Sequence, residues 1–255
     1  MVQDKNDKLA VVILAAGMGK RMKDPSKAKV MALIDEKPLI GHVLDKIKNL
    51  DISKNIVIVG HKKEDVIDYL SDFNKDIVCI EQKEQLGTGH AVEQTRELFN
   101  DYVGSILILC GDVPNLSSDT LNTFIENHFN NNSDISVLTT IALNPFGYGR
   151  IIRNEGGEFI RIVEQKDANE VEKEVNEINS GVYLVNSGLL FDSLKGISNN
   201  NAQGEYYLTD IVAILKETKA NVKAFPIAEF DELLGVNSIE DLEKARKFYF
   251  TKYKN

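Results

Sequence analysis

Leu9-Ala10-Val11-Val12-Ile13-Leu14-Ala15-Ala16-Gly17-Met18-Gly19-Lys20-Arg21-Met22 is the stretch whose reading decides the fold. It begins as an unbroken apolar run rich in β-branched residues, the pattern of a strand buried on both faces. Ala15-Ala16-Gly17-x-Gly19 then strips the backbone of bulky side chains, so N–H groups can come close to an anion or a flat base. The loop is not a P-loop, because the Gly-Lys-Ser/Thr ending is missing. Met22 stands where a dinucleotide-binding fingerprint has its third glycine. Arg21, Lys27 and Lys29 follow closely, and cations behind bare backbone suit a triphosphate. Without them the same loop reads as a plain tight turn.

Outward from this stretch, Asn55–Gly60, Asp76–Glu81 and Ser105–Cys110 read as further strands. Helical patterns cover Leu39–Lys48, Lys63–Leu70, Gly89–Phe99 and Leu121–Phe129. Near-continuous apolar strands alternating with helices predict an α/β, Rossmann-like fold, a mostly parallel central sheet with helices on both faces. In such sheets ligands bind at the carboxyl ends of the strands, where the glycine loop falls. The second half is richer in β structure. Asp134–Leu143, Gly149–Arg153, Phe159–Val163 and Glu177–Val185 read as strands, with a hairpin turn at Glu155-Gly156-Gly157. Leu208–Thr218 is helical, Val222–Pro226 is a short strand, and Ser238 with Asp241 opens a helix running toward Tyr253. Asparagine runs at 130–132 and 199–201 mark loops. The organisation expected is one domain over 1–237 followed by a C-terminal helix over 238–255.

The 255 residues are 43% hydrophobic, enough for a substantial core, and carry a formal net charge of −9. That balance argues against a nucleic-acid backbone as partner, since such binding depends on clustered Lys and Arg. It leaves room for a small phosphorylated ligand held by a local basic cluster. Cys79 and Cys110 sit in apolar strands and read as buried small hydrophobes rather than a disulfide or zinc framework, which points to a reducing compartment. The polar stretch Met1–Lys8 and the short apolar run after it have neither a signal-peptide layout nor the length of a membrane span, so a cytoplasmic, soluble protein is expected.

Further motifs stand in a fixed order. Gln82-Lys83-Glu84-Gln85-Leu86-Gly87-Thr88-Gly89-His90-Ala91 is followed by Gly111-Asp112-Val113-Pro114 and Asn144-Pro145-Phe146-Gly147-Tyr148-Gly149-Arg150-Ile151. Then come Val163-Glu164-Gln165-Lys166-Asp167-Ala168, Glu177-Ile178-Asn179-Ser180-Gly181, Asn201–Asp210 and Gly235-Val236-Asn237. With Leu14-Ala15-Ala16-Gly17-x-Gly19-x-Arg21-Met22 and Lys29, this series resembles the sugar-nucleotide pyrophosphorylases. Within them it is most similar to the uridyltransferase domain of the bacterial bifunctional enzymes that make UDP-N-acetylglucosamine, a cell-wall precursor. The likeness runs from about Leu9 to Asn237. The first motif is common to many nucleotidyltransferases, and the later ones are more specific.

The resemblance implies transfer of uridylyl from UTP to N-acetylglucosamine 1-phosphate, with release of pyrophosphate and Mg²⁺ as cofactor. It implies Arg21 and Lys29 as phosphate clamps. Leu14, Ala15, Ala16, Gly17, Gln82, Gly87, Thr88, Cys110 and Gly111 would bind the nucleotide. Gly149, Glu164 and Asn179 would bind the sugar, and Asp112 and Asn237 the metal. The residue chemistry is compatible with each role. Asp112 follows an apolar strand, where a carboxylate can hold a hard cation. Arg can grip phosphate oxygens bidentately, and the Gln82 amide can pair with the imide edge of a base. His90, at a helix start, reads as structural. A phosphate monoester is largely dianionic near neutrality, so positioning and charge stabilisation suffice without a general base.

Two departures from the family pattern stand out. Lys27-Ala28-Lys29 replaces the usual Leu-Pro-Lys, leaving Lys27 as the alternative to Lys29, though Val30 follows Lys29 as expected. Cys110 replaces a tyrosine. The β-helix acetyltransferase half of the bifunctional enzymes is not in this sequence, so acetyl transfer and the trimer contacts it supplies are expected to be missing. The competing readings are a sibling enzyme for another sugar phosphate or nucleotide, and a non-catalytic sugar-nucleotide sensor. The sensor is disfavoured because Lys29, Asp112 and Asn237 are all retained.

Overall fold

Strand β1, Leu9–Ala15, sends its side chains alternately into two different cores. Ala10 and Val12 pack on one side of the sheet, and Val11, Ile13 and Ala15 on the other. Both faces are covered, which is why the stretch is apolar without alternation. Full burial of a side chain such as Ile13 stabilises the fold by about 1.5–3 kcal/mol. The computed structural model describes residues 8–22 and 27–254. The polar N-terminal stretch, apart from Lys8, lies outside the described residues.

After β1 comes a two-stranded ribbon, β2 (Leu33–Ile34) and β3 (Lys37–Pro38), leading into helix α1 (Leu39–Ile47). Then follow β4 (Ile52–Val59), α2 (Lys63–Phe73), β5 (Ile77–Glu81), α3 (Thr88–Glu93), β6 (Ser105–Cys110) and α4 (Ser118–Asn130). The second half contains β7 (Ile135–Ile141), β8 (Arg150–Arg153), β9 (Phe159–Val163), α5 (Glu170–Lys173), β10 (Glu177–Asn186) and α6 (Ser187–Leu194). The chain closes with α7 (Asp210–Glu217), β11 (Val222–Phe225) and α8 (Ile239–Tyr253).

The main sheet runs β11-β7-β10-β6-β1-β4-β5, with the β8–β9 hairpin attached through β10. Strands β5, β4, β1 and β6 are all parallel. Strand β10 enters antiparallel between β6 and β7, and β11 pairs parallel to β7. Residues of α3, α6 and α7 pack on one face; those of α1, α2 and α4 pack on the other. The chain leaves β1 for β4 on one side and returns to β6 on the other. The carboxyl ends of β1 and β6 therefore flank a topological switch point, where a crevice opens above the sheet.

Several features differ from the sequence expectation, among them the unassigned β2–β3 ribbon and the short helix α5. The helical pattern over Gly89–Phe99 is broken: α3 ends at Glu93 and a 3₁₀ turn covers Arg96–Phe99. The buried Thr95 hydroxyl donates to Val92 O at 2.7 Å, and Thr95 N bonds the same carbonyl, which tightens the chain out of α geometry. Helix α6 is not among the elements expected from the sequence. Its start is marked by Asn186, whose side chain accepts from Gly188 N and Leu189 N. The cysteines are unpaired and half-buried rather than fully buried. At the C-terminus, Ser238 caps α8 by accepting from Asp241 N. Leu242 and Ala245 of α8 close a small core over Ile34, Leu39 and Val236. Among the described residues no helix is long and apolar enough to cross a membrane.

Candidate active site

A cavity of about 420 Å³ opens at the carboxyl ends of β1 and β6. Leu14, Ala15, Ala16 and Gly17 supply one wall, with Arg21 at an exposed position beside it. Gln82, Gly87 and Thr88, from the connection between β5 and α3, supply another. Cys110, Asp112, Lys29 and Asn237 complete it. Gly111 is not part of the lining. Its N–H donates to Leu14 O at 2.9 Å and ties the two strand ends together. Lys27 is exposed and does not line the cavity. Met18, Gly19, Gln85 and Glu205 also face it. Gln85 and Glu205 lie inside motifs visible in the sequence, but no single-residue property marked them.

Lys29 is the centre of charge. Its ammonium, on a side chain only 12% exposed, is ion-paired with Asp112 and donates to Asn237 Oδ1 at 2.8 Å. Two features place it there. Gly19 adopts φ +59° with Lys29 packed over it, and a β-carbon at Gly19 would lie 2.8 Å from Lys29 Cβ. Val236 N donates to Asp112 O at 2.9 Å, which docks the Asn237 segment alongside the end of β6. The two oxygens assigned to a metal by resemblance thus converge on a single cation, which here is the lysine.

Asp112 and Asn237 offer a carboxylate and an amide oxygen, the hard donors that suit Mg²⁺. No group of three or more His, Cys, Asp or Glu with metal-holding geometry occurs among the described residues. An ion held here would therefore draw its other ligands from phosphate and water, as Mg²⁺ commonly does.

The Gln82 side chain is buried, and its amide nitrogen donates to Gly87 O at 3.0 Å. Gly87 itself has φ +111° and ψ 172°, a conformation essentially reserved for glycine. A β-carbon there would lie 2.5 Å from Tyr206 O and 2.8 Å from Tyr206 N. Strain and backbone overlap add, so Gly87→Ala is expected to lower unfolding stability by about 3 kcal/mol or more. Urea denaturation checks this, and a loss below about 1 kcal/mol would show that the loop relaxes freely.

Gly149, Glu164 and Asn179 do not line this cavity but gather in an adjoining cluster. Asn179 N donates to Gly149 O at 2.9 Å, and a β-carbon on Gly149 would stand 3.4 Å from Glu164 Oε1. Glu164 accepts from Thr209 Oγ1 at 3.2 Å, and burial pushes its carboxyl above the ordinary range. Asn179 is fixed at both ends, donating to Tyr183 OH at 2.8 Å and accepting from Gly181 N at 3.0 Å. Cys110 Sγ, 3.6 Å from Gly181 O, bridges this cluster to the larger cavity. Burial raises its pKa to about 12, so it remains a neutral thiol. The Arg150 side chain, buried beside the cluster, was not singled out by its own sequence signal. It donates to Tyr148 O and, at 2.7 Å, to Gln165 Oε1, bracing the loop that carries Gly149.

Comparison with known proteins agrees with this architecture. The profile of the nucleotidyl transferase family matches residues 10–239. The chain is 44% identical over 234 residues to the bifunctional protein GlmU of Lactococcus lactis subsp. lactis, covering 92% of this chain and 50% of that relative. It is 41% identical over 239 residues to the bifunctional protein GlmU of Bacillus licheniformis, covering 94% and 52%. The chain therefore spans about half the length of the curated relatives it matches. A solved UDP-glucose pyrophosphorylase in complex with UDP-glucose superposes with a TM-score of 0.77 at 19% identity, covering 96% of this chain and 99% of that one. The likeness there is one of fold.

Proposed function

We propose, for a chain that belongs to the nucleotidyl transferase family, that it transfers uridylyl from UTP to N-acetylglucosamine 1-phosphate with release of pyrophosphate. The observation that carries this reading is the meeting of Lys29, Asp112 and Asn237 at the mouth of the bare loop Ala15–Gly17, in one cavity. The loop offers backbone N–H groups to phosphate oxygens. Arg21 stands beside it as a guanidinium able to grip two of them. Gln82, Gly87 and Thr88 read the uracil, and the cluster of Gly149, Glu164 and Asn179 takes the sugar.

In the reaction a phosphate oxygen of the sugar 1-phosphate attacks the α-phosphorus in line, and the bond to the β-phosphate oxygen breaks. The attacking group is already anionic, so the chain's own task is orientation and the neutralisation of developing charge. Lys29 contributes a mobile positive charge. Asp112 and Asn237 are the residues that would hold Mg²⁺, which supplies electrophilic stabilisation of the triphosphate when bound. On this reading residues 1–237 carry the transfer, and helix α8 steadies the Asn237 end of the site, where Asp241 accepts from Asn237 N.

The direct test is pyrophosphate release across four nucleoside triphosphates and a panel of sugar 1-phosphates. UTP with N-acetylglucosamine 1-phosphate is expected to give the highest kcat/KM. A maximum with another hexose phosphate would keep the uridylyl transfer and replace the sugar. No pyrophosphate from any pair would remove the catalytic reading.

A further inference from the structure

Glu232 is a buried acid that the site described above does not use. It sits in a 3₁₀ turn over Phe230–Leu233, on the stretch that leads to Asn237, and is only 3% exposed. A carboxylate so deeply buried persists only where partners take up its lone pairs. Its Oε1 is ion-paired with Lys252 of α8. Its Oε2 accepts from Thr120 Oγ1 at 2.6 Å and lies 3.1 Å from Ser117 Oγ. Burial works against its charge, but the Lys252 ammonium and the Thr120 hydroxyl hold its carboxyl below the ordinary range.

These partners come from three segments. Ser117 is the N-cap of α4, on the stretch that carries the chain from Asp112 at the end of β6. Glu232 belongs to the stretch that ends at Asn237. Lys252 lies in the last turn of α8, the helix into which Asn237 leads. Closer to the cavity the first two stretches meet again, where Val236 N donates to Asp112 O at 2.9 Å. A single hydrogen bond between two lengths of chain is a pivot, and a second anchor some way off removes the rotation. Glu232 is such an anchor. Asn115 adds to it, since its buried amide donates to Ala245 O of α8 at 3.0 Å. A metal shared by Asp112 and Asn237 is sensitive to that rotation, because it needs both oxygens at ligand distance.

We infer that Glu232 is a positioning residue for the candidate metal pair: by clasping the start of α4 and the end of α8, it sets how Asn237 approaches Asp112. Its consequence for turnover rests on the nucleotidyl-transfer reading, whereas the clasp itself does not depend on what the cavity binds.

Glu232→Ala is the variant to test, by two measurements. Native-state hydrogen exchange followed by NMR compares the amide of Val236 with that of Val12 in the core of β1. Val236 is expected to exchange about tenfold faster relative to Val12, the mark of a local opening rather than a general loss of stability. The Mg²⁺ concentration giving half-maximal pyrophosphate release should rise by about tenfold, the usual cost of removing a group that orients metal ligands, with kcat at saturating Mg²⁺ falling less. Leu215→Ala truncates the core on the other face of the sheet. It should lower the Tm without moving either measurement. Lys252→Met removes the same ion pair from a partly exposed position, should shift both measurements in the same direction, and carries the test if the alanine variant does not fold. Equal acceleration at Val236 and Val12, or an unchanged Mg²⁺ requirement, would overturn the inference. A wild-type protein that releases no pyrophosphate from any substrate pair would overturn the functional reading instead, and the exchange rates would still decide whether the clasp exists.

Discussion

Asp112→Ala is expected to lower pyrophosphate release by about a thousandfold or more at saturating magnesium. The carboxylate stands at the end of β6, and only 16% of its side chain is exposed. It is one of two oxygen donors that converge on a single cation, the other being Asn237 Oδ1. Losing the carboxylate would leave a neutral amide oxygen as the remaining protein donor. A metal that stabilises transferring phosphoryl oxygens is worth several kcal/mol, and each 1.4 kcal/mol is a decade in rate. The substitution removes a charge at a strand end rather than a core side chain, so the fold should persist. Circular dichroism and a melting curve separate the two effects, and Asp112→Asn repeats the test with shape preserved. A normal rate in either variant at saturating magnesium would take Asp112 out of the metal site.

Lys29→Met should move two measurements in opposite directions. Turnover should fall by about 10²–10³, the usual consequence of deleting one group that stabilises developing charge. Binding of Mn²⁺ without nucleotide, followed by electron paramagnetic resonance, should instead tighten. Lys29 holds the very oxygens that a divalent ion would need. A dication and an ammonium about 4 Å apart repel by about 8 kcal/mol at an effective dielectric of about 20. On the proposed reading Lys29 would therefore swing away as the metal enters, and an incoming triphosphate would offer its ammonium new partners. Methionine keeps much of the side chain's length and packing but frees Asp112 and Asn237. Weaker metal binding in this variant would show that Lys29 organises the ligands rather than competing with the ion.

Much of this architecture was legible before any coordinates. The apolar runs that became β1 and β6 announced two-sided burial, because a strand covered by helices on both faces has no polar side to show. The bare loop, the cap at Ser238 and the hairpin turn at Glu155-Gly156-Gly157 were equally local signals. Where the expectation slipped, the cause was tertiary. The helix after Gly87 stops at Glu93 because Thr95 turns its hydroxyl onto Val92. Helix α6 is short, and its cap, Asn186, is itself the last residue of a strand.

The sequence by itself determined the class of fold, the positions of most strands and the chemical kinds of residue available to a phosphate site. It could do so because periodicity and backbone freedom are properties of a segment and its immediate surroundings. Only the tertiary structure decided that β10 runs antiparallel between β6 and β7. It likewise decided that Lys29 meets partners 83 and 208 residues away and that the Gln82 amide nitrogen donates to Gly87 O. It also set the cluster of Gly149, Glu164 and Asn179 apart from the main cavity, linked to it through Cys110. Pairings of that kind depend on which distant segments the packed sheet brings together, and no local pattern in the chain encodes them.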